Sequence, residues 1–174
     1  MERHKFPNNA AYIIKKFNQI WDKKPGKKIL QKLVFLIQEA GVDLGFDYGL
    51  HFYGPYSSSL DAVTTFLSAD GIIDFDYSGY SHLMSVNEEV FSVQPMDLSR
   101  EQLQLIDRVI TDFGGRSASD LELLATALYA YKHLQDKSRE SIIQGVIKIK
   151  GAKYSREQIE TALNDFSYFG KPIY

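Results

Sequence analysis

His51, Ser57, Ser58, Ser59 and Asp61 place the residue types of a hydrolytic triad within one short stretch. A triad is defined by geometry rather than spacing. The Gly-x-Ser-x-Gly elbow that would expose a serine nucleophile is absent. Helix capping explains the serines instead: Ser57 or Ser58 can accept from the free N–H groups of a following helix, and Asp61 would favour the positive end of its dipole. Asp74 and Asp76 stand two apart in a strand pattern, with both carboxylates on one side. Such a pair holds Mg²⁺ or Ca²⁺ only with further oxygen ligands, so the two read as the solvated face of a half-exposed strand. Pro25-Gly26-Lys27-Lys28 lacks the first glycine and the Ser/Thr of a phosphate loop. His4, His82 and His133 show no metal-ligand spacing. The absence of cysteine excludes disulfides, thiolate zinc sites and a cysteine nucleophile. The expectation is a protein without catalytic residues, metal or cofactor.

The elements that would position these groups follow from periodicity. Ala10 to Asp22 reads as an amphipathic helix with Ile13, Phe17, Ile20 and Trp21 on one face, broken by Pro25-Gly26. Lys27 to Ala40 is a second helix, almost wholly apolar, with Gly41 past its end. Within it Gln31 lines up with Phe35 and Gln38. Its amide is expected to satisfy backbone groups of a turn at Tyr53-Gly54-Pro55-Tyr56. Tyr48 to Tyr53 alternates like a strand, Gly54-Pro55 turns the chain, and a serine-capped helix runs from Ser58 to Asp70. Ile72 to Tyr77 and His82 to Phe91 then form a hairpin in the position of a wing. The order is helix, helix, strand, helix, hairpin. Beyond Gln94-Pro95 the pattern is helical only. Ser99-x-x-Gln102, Ser119-x-x-Glu122 and Ser155-x-x-Gln158 match capping boxes, and a further helix is expected from Ser141 to Lys150. The predicted fold is α+β and mostly helical: a winged-helix-like unit over residues 1–95, with a helical C-terminal half over 96–174 packed on it as one globule.

The chain has 174 residues, of which 44% are apolar and 13% aromatic, ample for a packed core. The N-terminus lacks a signal-peptide core, and no apolar run reaches membrane-spanning length, so a cytoplasmic protein is expected. Net charge is −2 but unevenly placed. Met1 to Lys32 carries nine basic residues against two acidic ones, whereas Leu33 to Ser99 holds ten acids and no Lys or Arg. A winged-helix reader of DNA uses its third helix and wing, with basic residues on phosphates. Here those elements carry acids, which would repel a duplex.

Two segments carry a family likeness. Leu30-Gln-Lys-Leu-Val-Phe-Leu36 and Tyr53-Gly-Pro-Tyr-Ser57 resemble signature segments of the YwgA-like proteins of bacteria and archaea, over roughly Ile29 to Ile73. Leu121-Glu-Leu-Leu-Ala125 resembles that family's C-terminal half. The family is similar to the Panacea, or SocA-like, domain. That resemblance implies a compact helical fold with a small β element, no established catalysis, and neutralisation of a cognate toxin by protein contact. Tyr56 departs from the commonest Panacea form, where a small apolar residue follows Gly-Pro.

The expected function is that of a non-enzymatic protein-binding module, an antitoxin-like or defence-associated regulator that caps a basic partner. Its surface would be Tyr53, Tyr56, Asp61, Asp74, Asp76, Tyr77 and Tyr80, since tyrosines give large contact area with a polar tip. Gln31, Gly54, Pro55, Ser57 and Ser58 would be its structural motif. The alternative is a dimeric transcriptional regulator that holds nucleic acid through Lys15, Lys16, Lys23, Lys24, Lys27 and Lys28.

Overall fold

An almost unbroken apolar run from Leu30 to Ile37 makes the second helix the axis of the molecule. In a computed structural model, which describes residues 5–89 and 92–174, all eight of these residues are buried, including Gln31 and Lys32. Val90 and Phe91, the expected end of the second wing strand, lie outside the described residues, as does His4.

The chain runs α1 (Lys5–Trp21), α2 (Lys27–Glu39), β1 (Gly49–His51), β2 (Gly54–Tyr56), α3 (Ser58–Ala69), β3 (Ile73–Asp76), β4 (Leu83–Val86), α4 (Arg100–Phe113), α5 (Ala118–His133), α6 (Arg139–Lys150) and α7 (Arg156–Leu163), and closes with a 3-10 turn at Phe166–Phe169. It is an α+β fold, mostly helical. α1 extends further towards the N-terminus than its apolar pattern predicts, because Pro7 falls in the first turn, where its missing N–H costs no helical bond. α5 packs against α2, β2, α6 and α7, while α4 packs on α1 and α2. One hydrophobic cluster runs through both halves, from Ile13 and Phe17 to Leu163 and Phe166.

The β structure departs from expectation in two places. Gly54-Pro55 is not the turn but the start of β2, which pairs antiparallel with β1 in the register Gly49↔Tyr56, Leu50↔Pro55 and His51↔Gly54. Phe52 and Tyr53 make the turn. Gly54 supplies the positive φ of 85° beside it, and an added Cβ would stand 2.8 Å from Thr126 Oγ1 on α5. Pro55 is tolerated because a two-stranded ribbon leaves its N–H side unpaired. The second departure concerns the wing. β3 pairs with β4 (Ile73↔Val86 to Asp76↔Leu83), both strands shorter than predicted, and β1 does not join them. A single bridge from Gly26 to Leu83 takes the third-strand position, and Met84 N–H donates to Pro25 O at 2.9 Å. The helix-breaking Pro25-Gly26 therefore also serves as the sheet edge.

Four carboxamides complete backbone pairing that the short strands cannot. Asn9 donates to Met96 O and accepts from Met96 N–H, and Gln38 holds Phe46 in the same way. Asn18 donates to Met84 O and accepts from Val86 N–H, tying α1 to the wing. Gln31 clamps Ser57 from both sides at 2.9 Å. The sequence reading assigns Gln31 a backbone partner, and it has one; the partner is Ser57, one residue beyond the predicted turn. Each clamp matters because an unpaired buried N–H or C=O is costly.

Caps set the helix starts. Ser57 is the N-cap of α3, accepting from Leu60 N–H at 3.2 Å, so Ser58 is the first helical residue. Ser99 and Ser155 form the two expected capping boxes with Gln102 and Gln158. Ser119-x-x-Glu122 does not form one. Ser117 caps α5 instead, two residues earlier, which turns Glu122 into the interior. α6 likewise starts at Arg139 with Ser138 as its cap, rather than at Ser141.

Candidate functional site

The β1–β2 turn lies on α5 and is held there by lysines. Lys32 Nζ on α2, with the residue 2% exposed, donates to Pro55 O at 2.6 Å. Lys150 Nζ, at the end of α6, donates to Phe52 O at 2.8 Å and meets Glu122 Oε1 at 2.5 Å. Lys153 Nζ reaches the same Glu122 oxygen at 2.8 Å. Lys28, one turn before Lys32 on α2, places its Nζ 3.6 Å from the centre of the Tyr53 ring, and Lys153 lies 5.9 Å from it. Glu122 thus takes two ammonium groups directly and acts on a third, that of Lys32. Thr126 Oγ1, beside Gly54, has no hydrogen-bond partner among the described residues.

The electrostatics follow from this crowding. Burial drives the Lys32 pKa down to about 8; Glu122 opposes the shift, while Lys150, Lys28 and Lys153 reinforce it. Burial pushes the Glu122 carboxyl up, but hydrogen bonds from Lys150 and Lys153 outweigh that and hold it below its ordinary value. Between about pH 8 and the ordinary lysine range, the unfolded chain retains a proton that folded Lys32 has released. Stability therefore rises with pH in that window. We expect a gain of about 1.5 kcal/mol between about pH 8 and roughly pH 9.5, below the range where unfolded tyrosines ionise. Denaturant unfolding should show this rise in the wild type and its absence in Lys32→Met. An equal rise in the variant would assign the titration elsewhere.

The charge segregation of the sequence is largely cancelled in space. Lys15 pairs with Glu88 at 2.9 Å, Lys24 with Asp76 at 3.7 Å, Lys27 with Asp61 at 3.2 Å, and Lys16 with Asp107 at 3.5 Å. Lys23 lies over the Trp21 ring and Lys28 over Tyr53. All six lysines proposed for nucleic acid are engaged by their own chain, and Asp61 and Asp76 are not unopposed acids. The basic α1–α2 segment packs against the acidic α3 and wing.

The predicted partner-binding residues form a connected set with two outliers, Asp74 and Tyr53. Burial and the neighbouring Asp61 raise the Tyr56 pKa, and the Tyr56 ring packs on His51 at 4.7 Å. Asp61 holds Lys27, whose Nζ lies 5.4 Å from the Phe75 ring, and Phe75 packs on Tyr77 at 5.8 Å. Tyr80 lines a groove of about 450 Å³ with Lys27 and Lys28. Tyr77 and Tyr80 are exposed at 63% and 110%. Asp74 is exposed on the other side, in a groove shared with Lys15, Lys24 and Glu88. Tyr53 belongs with the lysines at the β1–β2 turn. Ser57 bonds the Ser59 hydroxyl and the α3 N-terminus, while His51 packs on Tyr56. No group of three potential metal ligands occurs among the described residues.

Sequence reasoning missed the junction of Lys32, Glu122 and Lys150. The signal was present: Lys32 and Glu122 each interrupt a dense apolar run, which a solvent-facing charge would not do. Nothing in one dimension pairs residues so far apart.

The fold and this junction define a mostly helical α+β protein built round a buried helix and a lysine-held hairpin. No family model matches the chain. It is similar to the uncharacterised protein YwgA of Bacillus subtilis (strain 168), with 29% identity over 146 residues, covering 79% of this chain and 82% of that one. That extent supports the YwgA-like likeness. It is also similar to a DNA ADP-ribosyl glycohydrolase of Thermus aquaticus, with 32% identity over 119 residues, or 62% of this chain. The matched stretch spans only 31% of that enzyme's length. Among the described residues, no helix is long and apolar enough to cross a membrane.

Proposed function

We propose that this chain is a non-enzymatic protein-binding module, an antitoxin-like or defence-associated regulator that caps a basic protein partner through α3 and the β3–β4 wing. The observation that carries this reading is the wing tip. Tyr77 and Tyr80 stand exposed on a wing that also carries Asp74 and Asp76; Asp61 and Asp76 pair with surface lysines of the same chain, and Asp74 is exposed. Exposed aromatics are the usual anchors of protein interfaces. Surface ion pairs contribute only about 0–1 kcal/mol, so a basic partner exchanges its own cations for Lys24 and Lys27 at small cost. The resemblance to the Panacea domain supports the antitoxin-like form of this reading. The glycohydrolase likeness is compatible with it, because the shared segment is a minor part of that enzyme's length.

Co-expression with the product of the neighbouring reading frame tests the reading. A small basic protein should co-purify with the chain, and the double charge reversal Asp74→Lys/Asp76→Lys should weaken retention. A complex indifferent to both reversals would sink the choice of surface. Release of ADP-ribose from modified DNA by the purified chain would replace the proposal with an enzymatic one.

A further inference from the structure

The β1–β2 turn is built beyond what a connection between α2 and α3 requires. Its two flanking carbonyls, of Phe52 and Pro55, are each fixed by an ammonium group, Lys150 and Lys32 respectively. Gly54 is held at positive φ against α5, where no Cβ fits without displacing Thr126. The result is a fixed tip, and on it Phe52 is 84% exposed. Its ring meets Tyr53 edge to face, with centroids 4.9 Å apart, so the pair is not stacked. Lys28 and Lys153, both exposed, bracket the Tyr53 ring beneath. With Glu122 the one carboxylate against Lys28, Lys32, Lys150 and Lys153, the tip carries an excess of positive charge.

An exposed aromatic face beside more lysines than its one carboxylate can neutralise matches one partner chemistry best. Unpaired bases offer π-faces to a ring, and the phosphodiesters between them offer anions to the surrounding lysines. A duplex hides its base faces within the stack. An apolar protein pocket could take Phe52, but it would strip water from the exposed ammonium groups of Lys28 and Lys153 without supplying an anion, which is expensive. Charge complementarity therefore selects among the occupants.

We propose that the Phe52–Tyr53 tip and its lysines form a binding site for single-stranded nucleic acid, with a base stacked on Phe52 and backbone phosphates on Lys28 and Lys153. The site centres on the β1–β2 turn, borders the wing where Lys28 and Tyr80 share a groove, and uses none of the α3 surface that would face a duplex in a winged-helix reader. Its aromatic anchor, Phe52, is not part of the proposed protein-binding surface, so Phe52→Ala and Tyr77→Ala/Tyr80→Ala test the two proposals independently.

Fluorescence anisotropy with a labelled oligothymidylate of about fifteen nucleotides provides the test, the length being near the upper site size of a single-strand binding fold. Binding should appear at low ionic strength and weaken with salt, with a log–log slope of about −1.4 for two phosphate contacts. Phe52→Ala should reduce affinity about fivefold or more, as expected for loss of one stacked base. Circular dichroism should show that variant folded, since the side chain it removes lies in solvent. Lys28→Gln and Lys153→Gln should each flatten the salt slope, and Tyr77→Ala/Tyr80→Ala should leave binding unchanged. A duplex of the same length, tripolyphosphate and polyglutamate serve as competing probes. The proposal is overturned if the oligonucleotide fails to bind, if Phe52→Ala binds equally well, or if any of the three probes competes as strongly as the single strand.

Discussion

Glu122→Ala is expected to destabilise the folded chain by about 3–5 kcal/mol, the range for breaking a buried ion pair by removing one partner. The Glu122 side chain is 6% exposed and receives Lys150, itself 5% exposed, at 2.5 Å and Lys153 at 2.8 Å. The same carboxylate is the one favourable charge acting on Lys32, whose ammonium group is already penalised by burial and by three neighbouring lysines. Without Glu122, Lys32 and Lys150 would face one another inside the protein with no counter-charge. They would have to shed a proton, draw in water, or release Phe52 O and Pro55 O and let the hairpin lift from α5. Glu122→Gln, which keeps the shape and one acceptor, should fall between the wild type and alanine. Urea unfolding measures both. A loss below about 1 kcal/mol for the alanine variant, the level of an exposed pair, would mean that solvent already reaches the junction.

Gln31→Leu is expected to cost about 1–3 kcal/mol: the Ser57 N–H is left unpaired in the interior, while the Ser57 O loses one of its two bonds and keeps the one from Asp61 N–H at 3.2 Å. Leucine nearly matches the volume of the side chain, so cavity formation contributes little and the loss reports the clamp itself. Both groups belong to Ser57, which is fully buried and is the N-cap of α3. The damage should therefore spread to the start of that helix. Hydrogen exchange at Leu60 and Asp61 should accelerate more than exchange at Leu124 or Leu128 on α5. Uniform acceleration along the chain would point to global destabilisation and deny Gln31 a specific role in seating α3.

Periodicity made the helices legible, because each buries one stripe of apolar side chains and most are opened by a serine. Gln31 was legible for a related reason: an amide amid buried leucines must find backbone to bond. The Ser119-x-x-Glu122 motif misled because a capping box is a local pattern, and the same four residues fit a helix that starts two positions earlier and points its glutamate inward. Gly54-Pro55 misled because glycine and proline signal turns, while here they follow one. Along the sequence the basic and acidic blocks stand apart. In the folded chain they meet, since Lys15, Lys24 and Lys27 lie across from Glu88, Asp76 and Asp61. Long-range partners such as Asn9 with Met96, 87 residues apart, leave no trace in a one-dimensional pattern.

On the proposed function, the wing tip is where this chain meets a protein. Calorimetric titration with the purified product of the neighbouring reading frame tests it most directly, comparing the wild type with Tyr77→Ala/Tyr80→Ala. Both side chains are largely exposed, so the variant should fold normally. Wild type should bind saturably, and the variant should lose about tenfold or more in affinity, as for the removal of an interface anchor. Equal affinity for the two chains would contradict it.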